Sequence, residues 1–386
     1  MELKAGYKQT DVGVIPEDWE IKKLGDVLKV KHGKSQKEVE NINGQYPILG
    51  TGGLMGYTNH FLYDKESVLI GRKGTIDKPR FMNSPFWTVD TLFYTEIFNK
   101  YFPKYLYYKF LQIDWYSYNE ASGVPSLNAK TIENIEIAIP STKAEQAAIA
   151  TALSDTDPLI SSLEKLIVKK RNIKQGAMQT LLQSKEGWEV KKLGDISEVK
   201  SGKRLPLGKQ LTEIITPHPY IRILDMSDNG ISLTDIKYVP EDVFPIIKNY
   251  RIFKGDIYIS VAGTLGLVGR VPDILNGANL TENANKITDI KCNTSYLLCV
   301  LRSDFIQNKI EAERTMGAQP KLALTRIRNF EIPLPSPEEQ TQIAKILSDM
   351  DTEITALETK LAKIKAIKQG MMQNLLTGKI RLIINN

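Results

Sequence analysis

The chain has 386 residues, 42% hydrophobic and 25% charged, which is ordinary globular composition and enough length for two or three domains with cores of their own. Its net charge of +6 and pI of about 8.9 suit a polyanionic partner without requiring one. Two cysteines, Cys292 and Cys299, exclude a disulfide scaffold, and residues 1–18 lack the apolar segment of a signal peptide. No run approaches the roughly 18 apolar residues of a membrane span, so a cytoplasmic protein without a membrane partner is expected.

The first patterned element is Trp19-Glu20-Ile21-Lys22-Lys23-Leu24-Gly25-Asp26, and it returns as Trp188-Glu189-Val190-Lys191-Lys192-Leu193-Gly194-Asp195. Glu20-Ile21-Lys22 has the E-x-K form of some nucleases. A metal site needs a further carboxylate, however, and Gly187 replaces Asp18 in the second copy, so the segment reads as a solvated strand end. Next, Gly33-Lys34-Ser35 resembles the tail of a phosphate loop, but residue 28 is Leu where that motif demands Gly. Val68-Leu69-Ile70-Gly71 reads as a buried strand running into the turn Gly71-Arg72-Lys73-Gly74-Thr75. The aromatic run from Tyr101 to Tyr118 has helical spacing and reads as core, with Tyr105 to Leu111 helical. Ile135-Glu136-Ile137-Ala138-Ile139-Pro140 alternates with period two, which predicts a half-buried strand stopped by proline.

A helical stretch follows, up to about Gln183. After it the second copy repeats the plan: a strand at 257–261, the turn Ala262-Gly263-Thr264-Leu265-Gly266, a helix from Tyr296 to Arg302, and Phe330-Glu331-Ile332-Pro333-Leu334-Pro335. From Val30 to Gly74 is 44 positions and from Val199 to Gly263 is 64. The surplus of 20 falls within residues 205–254, where the copies share almost nothing. Two copies of one scaffold with different faces suit a bipartite target.

The connecting helices carry heptads. In the first, Ile149, Leu153, Ile160, Leu163, Ile167 and Leu181 mark the seam; in the second, Ile343, Leu347, Met350, Ile354, Leu357, Leu361, Ile364, Met371 and Leu375 do so. Pro158 predicts a kink or restart near Asp157. Lys174 and Lys368 occupy equivalent seam positions, where their stems are expected to snorkel. Chain order predicts that the helices run antiparallel, each a rod of roughly 60 Å. The expected class is therefore α+β with a pseudo-twofold internal repeat: globular domains at 1–142 and 185–336, separated by long helices at 143–184 and 337–386 that pair as an antiparallel coiled coil.

No catalytic constellation emerges. His32, His60 and His218 are scattered, and the Cys292 to Cys299 spacing fits no zinc pattern, so neither a catalytic nor a metal site is expected. The glycine turns suit a reader of nucleic acid, with backbone amides near phosphates and side chains at base edges. The candidate DNA-binding residues are Lys34, Arg72, Lys73, Thr75 and Lys130 in the first copy, and Lys203, Arg204, Thr264 and Lys321 in the second. The segments 35–69 and 205–254 are expected to hold most base-reading residues. A coiled-coil scaffold for protein partners and a stand-alone DNA-binding regulator are the competing readings.

Further motifs sharpen the choice: Gly6-Tyr7-Lys8-Gln9-Thr10 through Gly13-Val14-Ile15-Pro16, Pro333-Leu334-Pro335, Glu339-Gln340, Lys368-Gln369-Gly370, and Leu375-Leu376-Thr377-Gly378-Lys379-Ile380. With the duplicated elements, their order and spacing make the chain resemble the specificity subunit of a type I restriction-modification system over nearly its whole length. The resemblance implies two target recognition domains, each reading half of an asymmetric site in double-stranded DNA, and helices that set the spacer and dock other subunits. It implies a non-catalytic chain that binds no cofactor itself. Two modification subunits would use S-adenosylmethionine to methylate adenine N6, and two restriction subunits would use ATP and Mg to translocate and cleave DNA.

Overall fold

The computed structural model describes residues 5–227, 230–312 and 321–382. The chain divides into two compact units, the first made of residues 1–165 and 359–386 and the second of residues 166–358.

In the first unit the repeated strand Trp19–Lys23 pairs antiparallel with Glu136–Pro140, so both ends of the first copy meet in one ladder. A four-stranded antiparallel sheet follows in the order Leu28–His32, Leu92–Ile97, Ser67–Gly71, Arg80–Met82. Ser67–Gly71 is buried at every residue, as its unbroken apolar run predicts. Helix Pro103–Phe110 packs on this sheet, and Tyr105, Tyr108, Phe110 and Trp115 form the centre of the core. The aromatic run is thus core, with Tyr116 its exposed member. A smaller sheet joins Gly53–Thr58, Tyr46–Gly50 and Trp87–Thr88, the last pair parallel.

The second unit repeats this plan. Glu189–Lys192 pairs with Glu331–Leu334, and the antiparallel sheet runs Glu198–Ser201, Ala284–Thr288, Ile257–Ser260, Val268–Arg270. The registers superimpose: His32 opposes Phe93 as Ser201 opposes Asn285, and Val68 opposes Phe81 as Ile257 opposes Arg270. Even the divergent segments share a device, since Pro219–Ile221 pairs parallel with Ala278–Leu280 as Tyr46–Gly50 does with Trp87–Thr88. The surplus residues build the hairpin Met226–Ser227 with Gly230–Ile231, the short helix Phe244–Ile247 and the added strand Arg251–Ile252.

Two expectations change here. The strands at 135–140 and 330–335 are more than half buried: beyond the exposed Glu136, Ile137 to Pro140 are all buried, and beyond Glu331 so are Ile332 and Pro333. The apparent alternation rested on one glutamate in each copy, because Ala138, Pro140 and Pro333 are themselves apolar. Eight of the seam residues also serve elsewhere. Ile149, Leu153, Met371 and Leu375 join the first unit's globular core, and Leu181, Ile343, Leu347 and Met350 join the second's. The helix ends are walls of the domains. The seam proper consists of Ile160, Leu163, Leu361 and Ile364 in the first unit, and Ile167, Ile354 and Leu357 in the second, all buried or half-buried.

The helical stretch after Pro140 is two helices, Lys143–Ser154 and Thr156–Leu181, with Asp155 between them. Pro158 lies in the first turn of the second, where its missing N–H leaves no helix bond unmade. The other copy has Thr352 in that place, and helix Pro337–Leu375 runs 39 residues unbroken, about 58 Å at 1.5 Å per residue. Within each unit the helices pair antiparallel through ion pairs that the repeat maps onto one another. The first unit has Asp157 with Lys368 and Glu164 with Lys365; the second has Asp351 with Lys174 and Glu358 with Arg171. Lys174 and Lys368 are therefore pinned by carboxylates rather than snorkelling, since each faces an aspartate that the repeat supplies across the seam. Among the described residues, no helix is long and apolar enough to cross a membrane.

Candidate nucleic-acid interface

In the first unit three segments converge on residues 88–91. Strand Leu28–His32 leads into Gly33, where a Cβ would lie 2.0 Å from the Val89 carbonyl oxygen; only glycine admits that approach. Lys34 then donates its N–H to the Thr88 carbonyl (2.8 Å), and its own carbonyl accepts from Trp87 Nε1 (2.9 Å). From the other side, Arg72 and Lys73 both donate their N–H groups to the Thr91 carbonyl, at 2.8 and 3.2 Å. Gly74, at φ +95°, turns the chain and donates to the Pro125 carbonyl, while Leu127 N–H reaches the Arg72 carbonyl at 2.9 Å. The third segment ends at Asn128, whose side chain caps helix Ala129–Glu133 by accepting from Lys130 N–H.

These segments enclose an open groove of about 600 Å³, lined among others by Arg72, Lys73, His32, Asp90, Glu120 and Asn128. Donors and acceptors both face it, as readout of base edges requires. Arg72 is exposed, its Nη1 leaning on the Asp90 carbonyl at 3.2 Å. Lys130 is exposed one residue beyond the lining, Thr75 is half-buried at the turn's exit, and Lys34 is exposed outside the groove's lining.

The second unit keeps the backbone contacts and changes the side chains. A Cβ at Gly202 would lie 2.0 Å from the Thr281 carbonyl oxygen, and Lys203 N–H reaches the Leu280 carbonyl at 2.8 Å. Val261 and Ala262 donate to Asn283, at 2.7 and 3.2 Å, where Arg72 and Lys73 donate to Thr91. Leu322 N–H meets the Val261 carbonyl at 2.9 Å, and Lys321 bridges Ala262. Lys203, Thr264 and Lys321 are exposed around this turn. Arg204 is exposed, and its Nε donates to Glu282 at 2.9 Å. Lys203 Nζ sits 5.7 Å from the Tyr250 ring centre.

Sequence reasoning missed His32, Asp90, Glu120 and Asn128, whose signal is their place beside repeated backbone contacts rather than any motif. It also missed a bracket in the divergent segment, where Arg222 clamps Asp225 through Nε (3.0 Å) and Nη2 (2.6 Å) and reaches Asp235. Asp225 raises the pKa of Arg222, so the clamp stays charged. In the same segment Leu207, Ile215 and Leu224 stand exposed, as Ile42, Leu54 and Met55 do in the first unit's divergent segment. Apolar side chains so presented suit thymine methyl groups. The E-x-K segments carry internal ion pairs, Glu20 with Lys22 (2.8 Å) and Glu189 with Lys191 (2.7 Å). Among the described residues no group of His, Cys, Asp or Glu is placed to hold a metal ion.

Comparison with known proteins matches this duplicated geometry. The family described as type I restriction modification DNA specificity domain matches residues 16–171 and again 185–367. The type I restriction enzyme MjaVIII specificity subunit of Methanocaldococcus jannaschii is 26% identical over 404 residues, covering 95% of this chain and 94% of that protein. A putative type I restriction enzyme MjaX specificity subunit of the same organism is 35% identical over 204 residues, 50% of this chain and 46% of its own. The crystal structure of a type I restriction-modification S subunit from M. genitalium shares the fold, with TM-score 0.66 and 19% identity over 100% of this chain and 99% of that one.

Proposed function

Since this chain belongs to the type I restriction-modification DNA specificity family, we propose that its two target recognition domains each read one half of an asymmetric, bipartite sequence in double-stranded DNA. The chain is the sequence-reading subunit of the system and does no chemistry itself. Two modification subunits dock on its helices and methylate adenine N6 with S-adenosylmethionine, and two restriction subunits add ATP- and Mg-dependent translocation and cleavage. The length of the helices sets the unread spacer.

One observation carries this reading: the same backbone hydrogen bonds recur at 88–91 and 280–283, with unlike side chains around them. A frame held constant while its face changes is what two different half-sites require. Lysines and arginines on that face hold the phosphate backbone, so affinity falls steeply with salt.

The test is a methylation map of the host DNA with and without the gene. A bipartite motif present only with the gene supports the proposal; an unchanged map refutes it. Removing one heptad from each helix shortens the spacer in the same map, and an unchanged spacer refutes the ruler.

A further inference from the structure

The repeat places the same frame at equivalent positions in both domains and fills it differently. In the first unit Lys368 pairs with Asp157, and Tyr108 closes the space, donating its hydroxyl to Asp157 (2.8 Å) with Lys368 5.1 Å from its ring centre. Phe81 and Tyr107 pack behind it, ring centres 5.8 Å apart. In the second unit Lys174 pairs with Asp351 in the same way. Strand and helix registers put Arg270 where Phe81 stands, Cys299 where Tyr108 stands and Arg302 where Leu111 stands. The aromatic filling is gone, and a cavity of about 210 Å³ remains.

Its lining is electrostatically one-sided. Lys174, Arg270 and Arg302 face it, against one carboxylate, Asp351, which already accepts from Lys174 at 2.5 Å. The arginines are held in place: Arg270 Nη2 donates to Ser295 Oγ (2.8 Å) and Arg302 Nε to the Val268 carbonyl (2.9 Å). In the adjoining cleft Arg171 and Glu358 satisfy each other. Partial burial, and Arg302 beside it, work against the charge on Arg270, a cost that an anion would remove. The space exceeds what a tetrahedral oxyanion needs, and forked guanidinium groups match its oxygens.

We infer that the cavity bounded by Arg270, Arg302, Lys174 and Cys299 in the second unit is a phosphate-type oxyanion site, at a place that Tyr108 fills in the first. The oxyanion is either a DNA-backbone phosphate or a free phosphate. The inference stands apart from which bases are read.

Cys299 on the cavity wall supplies the readout. In full-length chain carrying Cys292→Ser, Cys299 is the one remaining thiol. Its alkylation by N-ethylmaleimide is followed with inorganic phosphate, with chloride at equal ionic strength, and with a short DNA duplex. Phosphate at about twice its dissociation constant slows labelling about threefold over chloride by simple mass action. Arg270→Ser, at the end of strand Val268–Arg270, abolishes the protection at an unchanged unfolding midpoint. Protection by phosphate and duplex alike, both lost in Arg270→Ser, assigns the oxyanion to DNA; protection by phosphate alone assigns it to solution. Equal labelling in phosphate and chloride, or protection undiminished in Arg270→Ser, overturns the site. As a second variant, Arg270→Phe with Cys299→Tyr restores the first unit's filling. It loses any rise in unfolding temperature with phosphate, and a retained rise also overturns the site.

Discussion

The first and second units share one pair of polar contacts beneath their helices and differ in what faces outward. Gln146 accepts from Phe102 N–H and donates to the Pro140 carbonyl; Gln340 accepts from Asn293 N–H and donates to the Pro335 carbonyl. Both glutamines are buried, and the Pro140 and Pro335 carbonyls they satisfy lie out of water's reach. Beside these backbone contacts the first unit has Arg72, Lys73 and Asn128; at the same backbone positions the second has Val261, which is buried, Ala262 and Ala323. Hydrogen-bonded backbone fixes the position of the face, and the side chains are left to vary with the target.

Breaking the shared frame has the largest effect. Alanine at Gly33 or Gly202 drives a Cβ into a carbonyl oxygen 2.0 Å away. Each costs about 3 kcal/mol in urea unfolding, and the pair are equivalent. A cost near zero means that the loops are not held as described. Gln146→Leu and Gln340→Leu come next, at about 2 kcal/mol each, because each strands a buried carbonyl and a part-buried N–H. Trp188 is the one tryptophan of the second unit, so fluorescence of variants at the other three reports the units separately.

Lys109 sharpens the comparison, because buried Val300 takes its place in the second unit. Its Nζ donates to the Leu376 carbonyl, and burial pulls its pKa down from 10.5 to about 8. Between those values the unfolded chain binds the proton better than the folded one. Stability from this site is therefore flat below pH 8 and rises with pH from about 8 to 10.5, at most about 1.4 kcal/mol per pH unit. Lys109→Met removes that rise relative to the parent in unfolding measured against pH; identical profiles contradict it. The smallest effect belongs to the helix ion pairs. Lys174→Asp with Asp351→Lys recovers most of the roughly 0.5–1 kcal/mol lost in either single variant, measured as a double-mutant cycle.

The repeat made most of the architecture legible, because Trp19 to Asp26 and the Ile149 and Ile343 helices carry their own periodicity. It could not show that Trp19–Lys23 pairs with Glu136–Pro140, since that contact closes over more than 100 residues. The helix ends looked like seam because core and seam ask for the same apolar residues, so Leu153 and Leu347 read alike in either role. Among site residues, charge and glycine marked Arg72, Lys73, Lys203 and Lys321. Asp90 and Asn128 had no such mark, because their place in the groove comes from chain crossings that no local pattern encodes. The ion pair of Arg204 could not be read from the sequence, because Glu282 is 78 residues away in sequence and 2.9 Å away in space.

The most direct measurement replaces residues 205–254 with the corresponding segment of another specificity subunit and maps methylated adenines. The account predicts that one half-site changes to the donor's while the other half and the spacer stay as they were. A map in which both halves change, or neither does, contradicts it.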